Sequence, residues 1–245
     1  MTATESRGPT ARAKALLGQY LGDVRGTAIL WPPADWALRR LGAPSGPARP
    51  PVLVDPDCGN GDALLWAYRS GYSVAGTWVE DHDRERFSPV ELHERLEAEP
   101  RRPWRDYTLC GPDARHARVG VGEADVAWWN VPAGPFNTLG YDMRYPQLGC
   151  CVEWRKLCYT DYLRAVGAVL LTLAVELRRG GHLYLWCGLD GRVPRPKRDE
   201  VLVAAHDVIA TASGIPNLLY HGWYWATKPR HLLTVGVLAE FGRNA

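Results

Sequence analysis

The chain has 245 residues, 46% hydrophobic and 23% charged, a composition that fills one α/β core and excludes a low-complexity or fibrous chain. Its formal net charge of +2 excludes a globally basic or acidic molecule, so any polyanion contact would rest on local clusters. No apolar run is long enough to span a bilayer and no signal-like apolar core follows the N-terminus, so a cytoplasmic location without a membrane partner is expected.

Residues 1–8 read as a tail, and Thr10 to Leu21 as a short helix. Pro32-Pro33 opens a second helix towards Leu41, because a proline in the first turn lacks only an N–H that would be unpaired there. Gly42 to Pro51 is rich in Pro, Gly, Ala and Ser and reads as a linker. The expected division is therefore an N-terminal extension over 1–50 and an α/β domain over 51–245.

The domain opens with Val52-Leu53-Val54-Asp55-Pro56-Asp57-Cys58-Gly59-Asn60-Gly61-Asp62: an apolar strand, a glycine-bearing turn, then a helix over Ala63 to Tyr68. Such a turn lets a ligand approach the backbone, and the helix points unpaired N–H groups at it. A strand over Tyr72 to Val79 follows, ending in Glu80 and Asp81. Ser88 to Glu99 reads as a helix, Tyr107 to Cys110 as a strand, and Asp113 follows it. Ala124 to Trp129 is the next strand, running into Asn130-Val131-Pro132-Ala133-Gly134-Pro135-Phe136.

Asn137 to Arg155 shows no period and reads as a long loop. Asp161 to Arg179 carries Leu163, Val166, Leu170, Leu173 and Leu177 at helical spacing and stops at Gly180-Gly181. His182 to Cys187 is a strand, Asp199 to Ser213 a helix, and Leu218 to Trp225 and His231 to Glu240 close the chain as a strand pair. Six cysteines in a chain this long do not make a disulfide framework. Cys150, Cys151 and Cys158 lack Cys-x-x-Cys spacing, so no metal site is expected there.

This alternation predicts an α/β fold: a doubly wound, mostly parallel seven-stranded sheet with one antiparallel strand. Ligands of such sheets bind beyond the carboxyl ends of the strands. There the sequence places Asp55, Pro56, Cys58, Gly59 and Gly61, then Glu80 and Asp81, Asp113, and Asn130. An acid roughly twenty residues past the turn suits ribose hydroxyls. Asp113 suits an adenine amino group. The turn has neither the Gly-x-Gly-x-x-Gly pattern nor a P-loop lysine, and Asp55 would repel a pyrophosphate. The set favours an adenosine-containing ligand with a cationic head group, S-adenosylmethionine.

Asp55-Pro56-Asp57-Cys58-Gly59-Asn60-Gly61 resembles the cofactor motif of class I S-adenosylmethionine-dependent methyltransferases, in the form found in amino-methylating DNA and RNA enzymes (adenine-N6 and cytosine-N4). Pro32-Pro33 resembles the segment upstream of that motif, with Trp31 in place of a threonine. Gly180-Gly181-His182-Leu183 resembles the turn before the fifth strand. Asn130-Val131-Pro132-Ala133 falls where the family carries Asn/Asp-Pro-Pro-Tyr/Phe/Trp.

The resemblance implies methyl transfer to the exocyclic amino group of a nucleic-acid base, with DNA adenine favoured and RNA possible. Asn130 and the following backbone carbonyl would accept hydrogen bonds from the target amine, with Pro132 kept from the motif. The pattern departs at Val131 and Ala133, so Phe136, Trp128 or Trp129 would supply the stacking face. Arg192, Arg195, Lys197 and Arg198, like Arg101, Arg102 and Arg105, lie on expected loops near tryptophans, a composition that suits phosphate contact with base stacking. A degenerate fold serving as a nucleic-acid-binding module or partner subunit, and a methyltransferase for a small molecule or protein, stay open as alternatives.

Overall fold

The computed structural model describes residues 27–29, 32–41, 49–77, 89–100, 106–110, 120–132, 142–145, 150–153, 158–188, 198–227 and 235–244. The expected helix over Thr10 to Leu21 lies outside them.

In chain order the elements are β1 (Thr27–Ile29), α1 (Pro33–Leu41), β2 (Val52–Asp55), α2 (Asp62–Arg69), β3 (Ser73–Thr77), α3 (Pro89–Glu97), β4 (Tyr107–Cys110) and β5 (Ala124–Asn130). Then follow β6 (Asp142–Tyr145), β7 (Cys150–Glu153), α4 (Tyr159–Glu176), β8 (Leu177–Gly188), α5 (Arg198–Ser213), β9 (Leu218–Thr227) and β10 (Val235–Arg243). The main sheet has the order β1-β9-β10-β8-β5-β2-β3-β4. Its seven-stranded body, β4 to β9, is the one expected: parallel from β4 through β8, with β10 inserted antiparallel to both β8 and β9. β1 adds an eighth, parallel edge strand beside β9.

Strands buried on both faces need continuous apolar sequence, and Leu53, Val54, Val126, Ala127, Leu183 and Leu185 supply it. One face carries α4 and α5, with Tyr162, Val166, Val169, Leu170 and Leu173 of α4 buried at helical spacing against Ala205, Val208, Ile209 and Ala212 of α5. The other face carries α1, α2 and α3, through Ala34, Ala37, Leu38, Leu64, Leu65, Leu92 and Leu96. Truncating a fully enclosed leucine such as Leu64 or Leu170 to alanine would cost about 2–5 kcal/mol. The first helix thus shares a core with the sheet of the α/β domain.

Two expectations are corrected. The stretch Asn137 to Arg155 is not all loop: β6 and β7 pair as an antiparallel two-stranded sheet, Asp142 opposite Glu153 and Tyr145 opposite Cys150. The long helix stops at Glu176 instead of Arg179, because Leu177 swings to extended backbone (φ −62, ψ 136) and pairs with Ala124 on β5. The chain then turns through Gly180-Gly181 before His182 resumes pairing, opposite Val126.

Candidate active site

The parallel strands β2, β3, β4, β5 and β8 end at Asp55, Thr77, Cys110, Asn130 and Gly188, along one edge of the sheet. The switch point, where neighbours on either side run in opposite sequence order, lies between β2 and β5. A crevice at that position is where doubly wound sheets take ligands.

From β2 the backbone turns sharply. Asp55 closes the strand and is 2% exposed; Asp57, two residues on, is 8% exposed. The Asp57 N–H donates to Asp55 Oδ1 at 3.0 Å. Burial, and after it the Asp57 charge, push the Asp55 carboxyl well above the usual carboxylate range, against the pull of that N–H bond. Two buried acids side by side make the turn acidic.

Cys58, also buried, anchors the turn to the neighbouring strand: its N–H donates to the Thr77 carbonyl at 3.0 Å. The Gly61 N–H then returns to the Cys58 carbonyl at 2.6 Å. Gly59 and Gly61 both take positive φ (49° and 74°), where an L side chain is strained. They differ in surroundings. A Cβ on Gly61 would lie 2.2 Å from Leu92 Cδ1 of α3, whereas a Cβ on Gly59 would meet nothing within 4 Å. Gly61 therefore serves packing, and Gly59 keeps an exposed stretch of backbone open to a ligand.

The start of α2 is not left bare for a phosphate. Asp62 sits in its first turn, where a carboxylate suits the helix dipole. Arg95 of α3 clamps it, with Nη2 to Asp62 Oδ1 at 2.8 Å and Nη1 to the Asn60 carbonyl at 2.9 Å. Asn60 Nδ2 adds a bond to Asp62 Oδ2 at 2.8 Å. The turn is thus acidic and pinned from two sides.

Across the switch point Asn130 ends β5 with its side chain exposed. The Val131 N–H is held by the Trp186 carbonyl at 2.9 Å, and the Tyr162 hydroxyl of α4 donates to the Pro132 carbonyl at 2.9 Å. Both bonds fix the backbone on which Asn130 sits. The Pro132 carbonyl accepts one hydrogen bond from the protein, and the Asn130 carboxamide is an exposed acceptor among the described residues of this strand end.

The structure therefore brings together Asp55, Pro56, Cys58, Gly59 and Gly61 with Asn130 and Pro132. Trp129 does not join them as a stacking residue: it is fully buried in the core on the α4 side, because the strand alternation turns it inward. Trp128 is buried on the opposite face and Trp223 is buried with Trp129. Phe136, Glu80, Asp81, Asp113, Arg101, Arg102, Arg105, Arg192, Arg195 and Lys197 lie outside the described residues. Arg198 is the first residue of α5, and α5 follows β8 on the same edge.

Sequence reasoning passed over Tyr162 and Arg95 as site residues. Tyr162 carries a signal only in hindsight of the helix, one turn before Val166 on the buried face. Arg95 carries none, since its partners lie 33 and 35 residues away.

No family model matches the chain, and no curated protein matches it either. Solved structures do align with it. One comes from work on the conversion of a disulfide bond into a thioacetal group during echinomycin biosynthesis; it has TM-score 0.50 and 15% identity and covers 95% of this chain and 92% of that one. A geranyl diphosphate methyltransferase in complex with GPP and sinefungin aligns at TM-score 0.47 and 16% identity, over 86% of this chain and 76% of that one. A 1,6-didemethyltoxoflavin-N1-methyltransferase of Burkholderia thailandensis, with 1,6-didemethyltoxoflavin and S-adenosylhomocysteine bound, aligns at TM-score 0.48 and 14% identity, over 87% and 78%. At such identities the likeness is one of fold: with a strand inserted antiparallel between β8 and β9, the chain has a Rossmann-like, doubly wound α/β fold.

Proposed function

We propose that the chain is an S-adenosylmethionine-dependent methyltransferase acting on an amino nitrogen, with the exocyclic amine of a nucleic-acid base (adenine N6 of DNA first) as acceptor. The observation that carries this reading is the buried pair Asp55 and Asp57 beside a glycine turn whose Gly59 face is open, directly across the switch point from exposed Asn130. An acidic turn with no phosphate cradle suits a donor that carries an ammonium and a sulfonium.

When bound, that donor supplies a methyl group already activated for transfer, so the protein's part is alignment in a polar, enclosed setting. Asp55 takes the cationic head group, directly or through a water. Gly59 lets the donor lie against the backbone. Asn130 Oδ1 accepts an N–H from the acceptor amine and so turns the nitrogen lone pair towards the methyl carbon. Glu80, Asp81 and Asp113 complete the donor site in this reading, on the ribose hydroxyls and the adenine amino group. Phe136 stacks on the base, and Arg192, Arg195, Lys197 and Arg198 meet phosphates.

A small-molecule or protein amine is the second reading. The burial of Trp128, Trp129 and Trp223 favours it, since none of these three offers a stacking face. The test is transfer of a tritiated methyl group over separate DNA, RNA, protein and metabolite pools. Label in DNA that is lost in Asn130→Ala, with donor binding retained by calorimetry, is the expected result. Label confined to metabolites or protein would replace the acceptor, and no donor binding at all would leave a binding module.

A further inference from the structure

We propose that His182, His221 and Glu240 form a binding site for a divalent transition-metal ion of the zinc class, at the opposite edge of the sheet from the donor site. The three residues come from β8, β9 and β10, and their candidate ligand atoms all lie within 4.8 Å of one another. His182 Nδ1 is already 3.5 Å from Glu240 Oε1. That separation is near the span between two ligands of a tetrahedral zinc ion with bonds of about 2.0–2.1 Å, and it is long for a hydrogen bond. His182 Nδ1 is buried and makes no hydrogen bond among the described residues.

The backbone is shaped for this meeting. Regular alternation would send His221 to the face opposite Glu240, because Glu240 pairs with Gly222. The register shifts between Glu240 and Phe241, whose partner is Tyr220, so His221 is the extra residue of a bulge. A bulge re-aims a side chain, and this one brings His221 to the face shared by Glu240 and His182. The ring then fills the space left by a missing side chain: a Cβ on Gly242 would lie 2.5 Å from His221 Cε1.

Glu240 is oriented by outer partners, as ligands of metal sites are. Its Oε2 accepts from the Tyr224 hydroxyl at 2.8 Å and pairs with Arg40 Nε at 3.3 Å. Its Oε1 faces the histidine and accepts from the Tyr184 hydroxyl at 3.2 Å. His221 is exposed, so a fourth position opens to water. Two imidazoles with one carboxylate suit zinc, nickel or copper and not magnesium or calcium. His182 and Gly188 stand at opposite ends of the paired run of β8, roughly 20 Å apart at ~3.3 Å per residue, so the ion would tie three strands together without meeting the donor.

The test uses the full chain and zinc chloride alone, by calorimetry in a non-chelating buffer, with thermal unfolding beside it. We expect one equivalent to bind, melting to rise with free zinc, and magnesium to do neither. His221→Ala, at an exposed position, should fold as the parent does and weaken zinc binding at least tenfold. Cobalt in place of zinc should give a tetrahedral visible spectrum without a thiolate charge-transfer band. Equal zinc binding by the parent and His221→Ala, a thiolate band, or no binding would overturn the site.

Discussion

At the scale of single residues, the chain keeps one acid where burial works against it. Asp55 is raised above its ordinary range in the folded state, so folding favours its protonated form. The stability this contributes is fully present below the unfolded pKa near 4 and is lost as pH climbs towards the raised folded value. The unliganded protein should therefore become less stable over that rise. Asp55→Asn keeps an oxygen for the Asp57 N–H and removes the titration. It should flatten the pH dependence of the urea midpoint, be more stable than the parent at neutral pH, and bind S-adenosylmethionine at least tenfold more weakly. A variant with the parent's slope would show that the strain lies elsewhere. At the turn proposed to hold the donor, a destabilising acid is a known form of exchange between stability and function. Cys187 illustrates the opposite use of burial: desolvation pushes its thiol up to about 12, so it should resist alkylation at neutral pH.

At the scale of elements, the end of β5 depends on α4. Tyr162 is 1% exposed and its hydroxyl holds the buried Pro132 carbonyl. Tyr162→Phe leaves that carbonyl without this bond, at a cost of about 1–3 kcal/mol read from denaturant midpoints. Because the bond fixes the backbone beside Asn130, the loss should also lower kcat while leaving the donor Kd unchanged. A variant that loses stability alone would make Tyr162 a packing residue and not a positioning one.

This is also the scale at which the sequence was most and least legible. Tyr107–Cys110 was readable to the residue, and Ala124–Asn130 to within one, because each is a short, largely apolar run between turn formers. The turn at Asp55 to Asp62 was legible because few residues other than glycine tolerate its backbone. The β6–β7 pair was hidden because each strand is only four residues long, too short for a period to stand out in Asp-Met-Arg-Tyr or Cys-Cys-Val-Glu. β1 was hidden by its three-residue length. The inward turn of Trp129 follows from strand alternation, but only once the register with β8 is known.

At the scale of the whole molecule, residues 27–29 and 32–41 are built into the body. β1 covers the free edge of β9, and α1 buries Ala34, Ala37 and Leu38 in the cluster that contains Leu53, Val126, Trp128 and Tyr184. Arg40 of α1 reaches Glu240 and stacks over Trp36 and Tyr224, at 5.6 and 5.4 Å from the ring centroids. Deleting residues 1–50 should therefore uncover apolar surface and a sheet edge together. The expected outcome is aggregation or a sharply lowered melting temperature, and an unchanged one would show that this segment is a true appendage.

The antiparallel placement of β10 has a consequence for how the protein is made. β10 is the last described strand in sequence, yet it lies between β8 and β9. A ribosome delivers the chain from one end, so β8 and β9 emerge with a gap between them that no earlier segment fills. Until residue 243 clears the exit tunnel, β9 has only β1 to pair with, and one side of β8 stands open. The half of the sheet nearest the Asp55 turn can assemble early, during synthesis. The other half must wait until β10 has emerged, and in that interval the nascent chain presents two unpaired edges of the kind that chaperones cover.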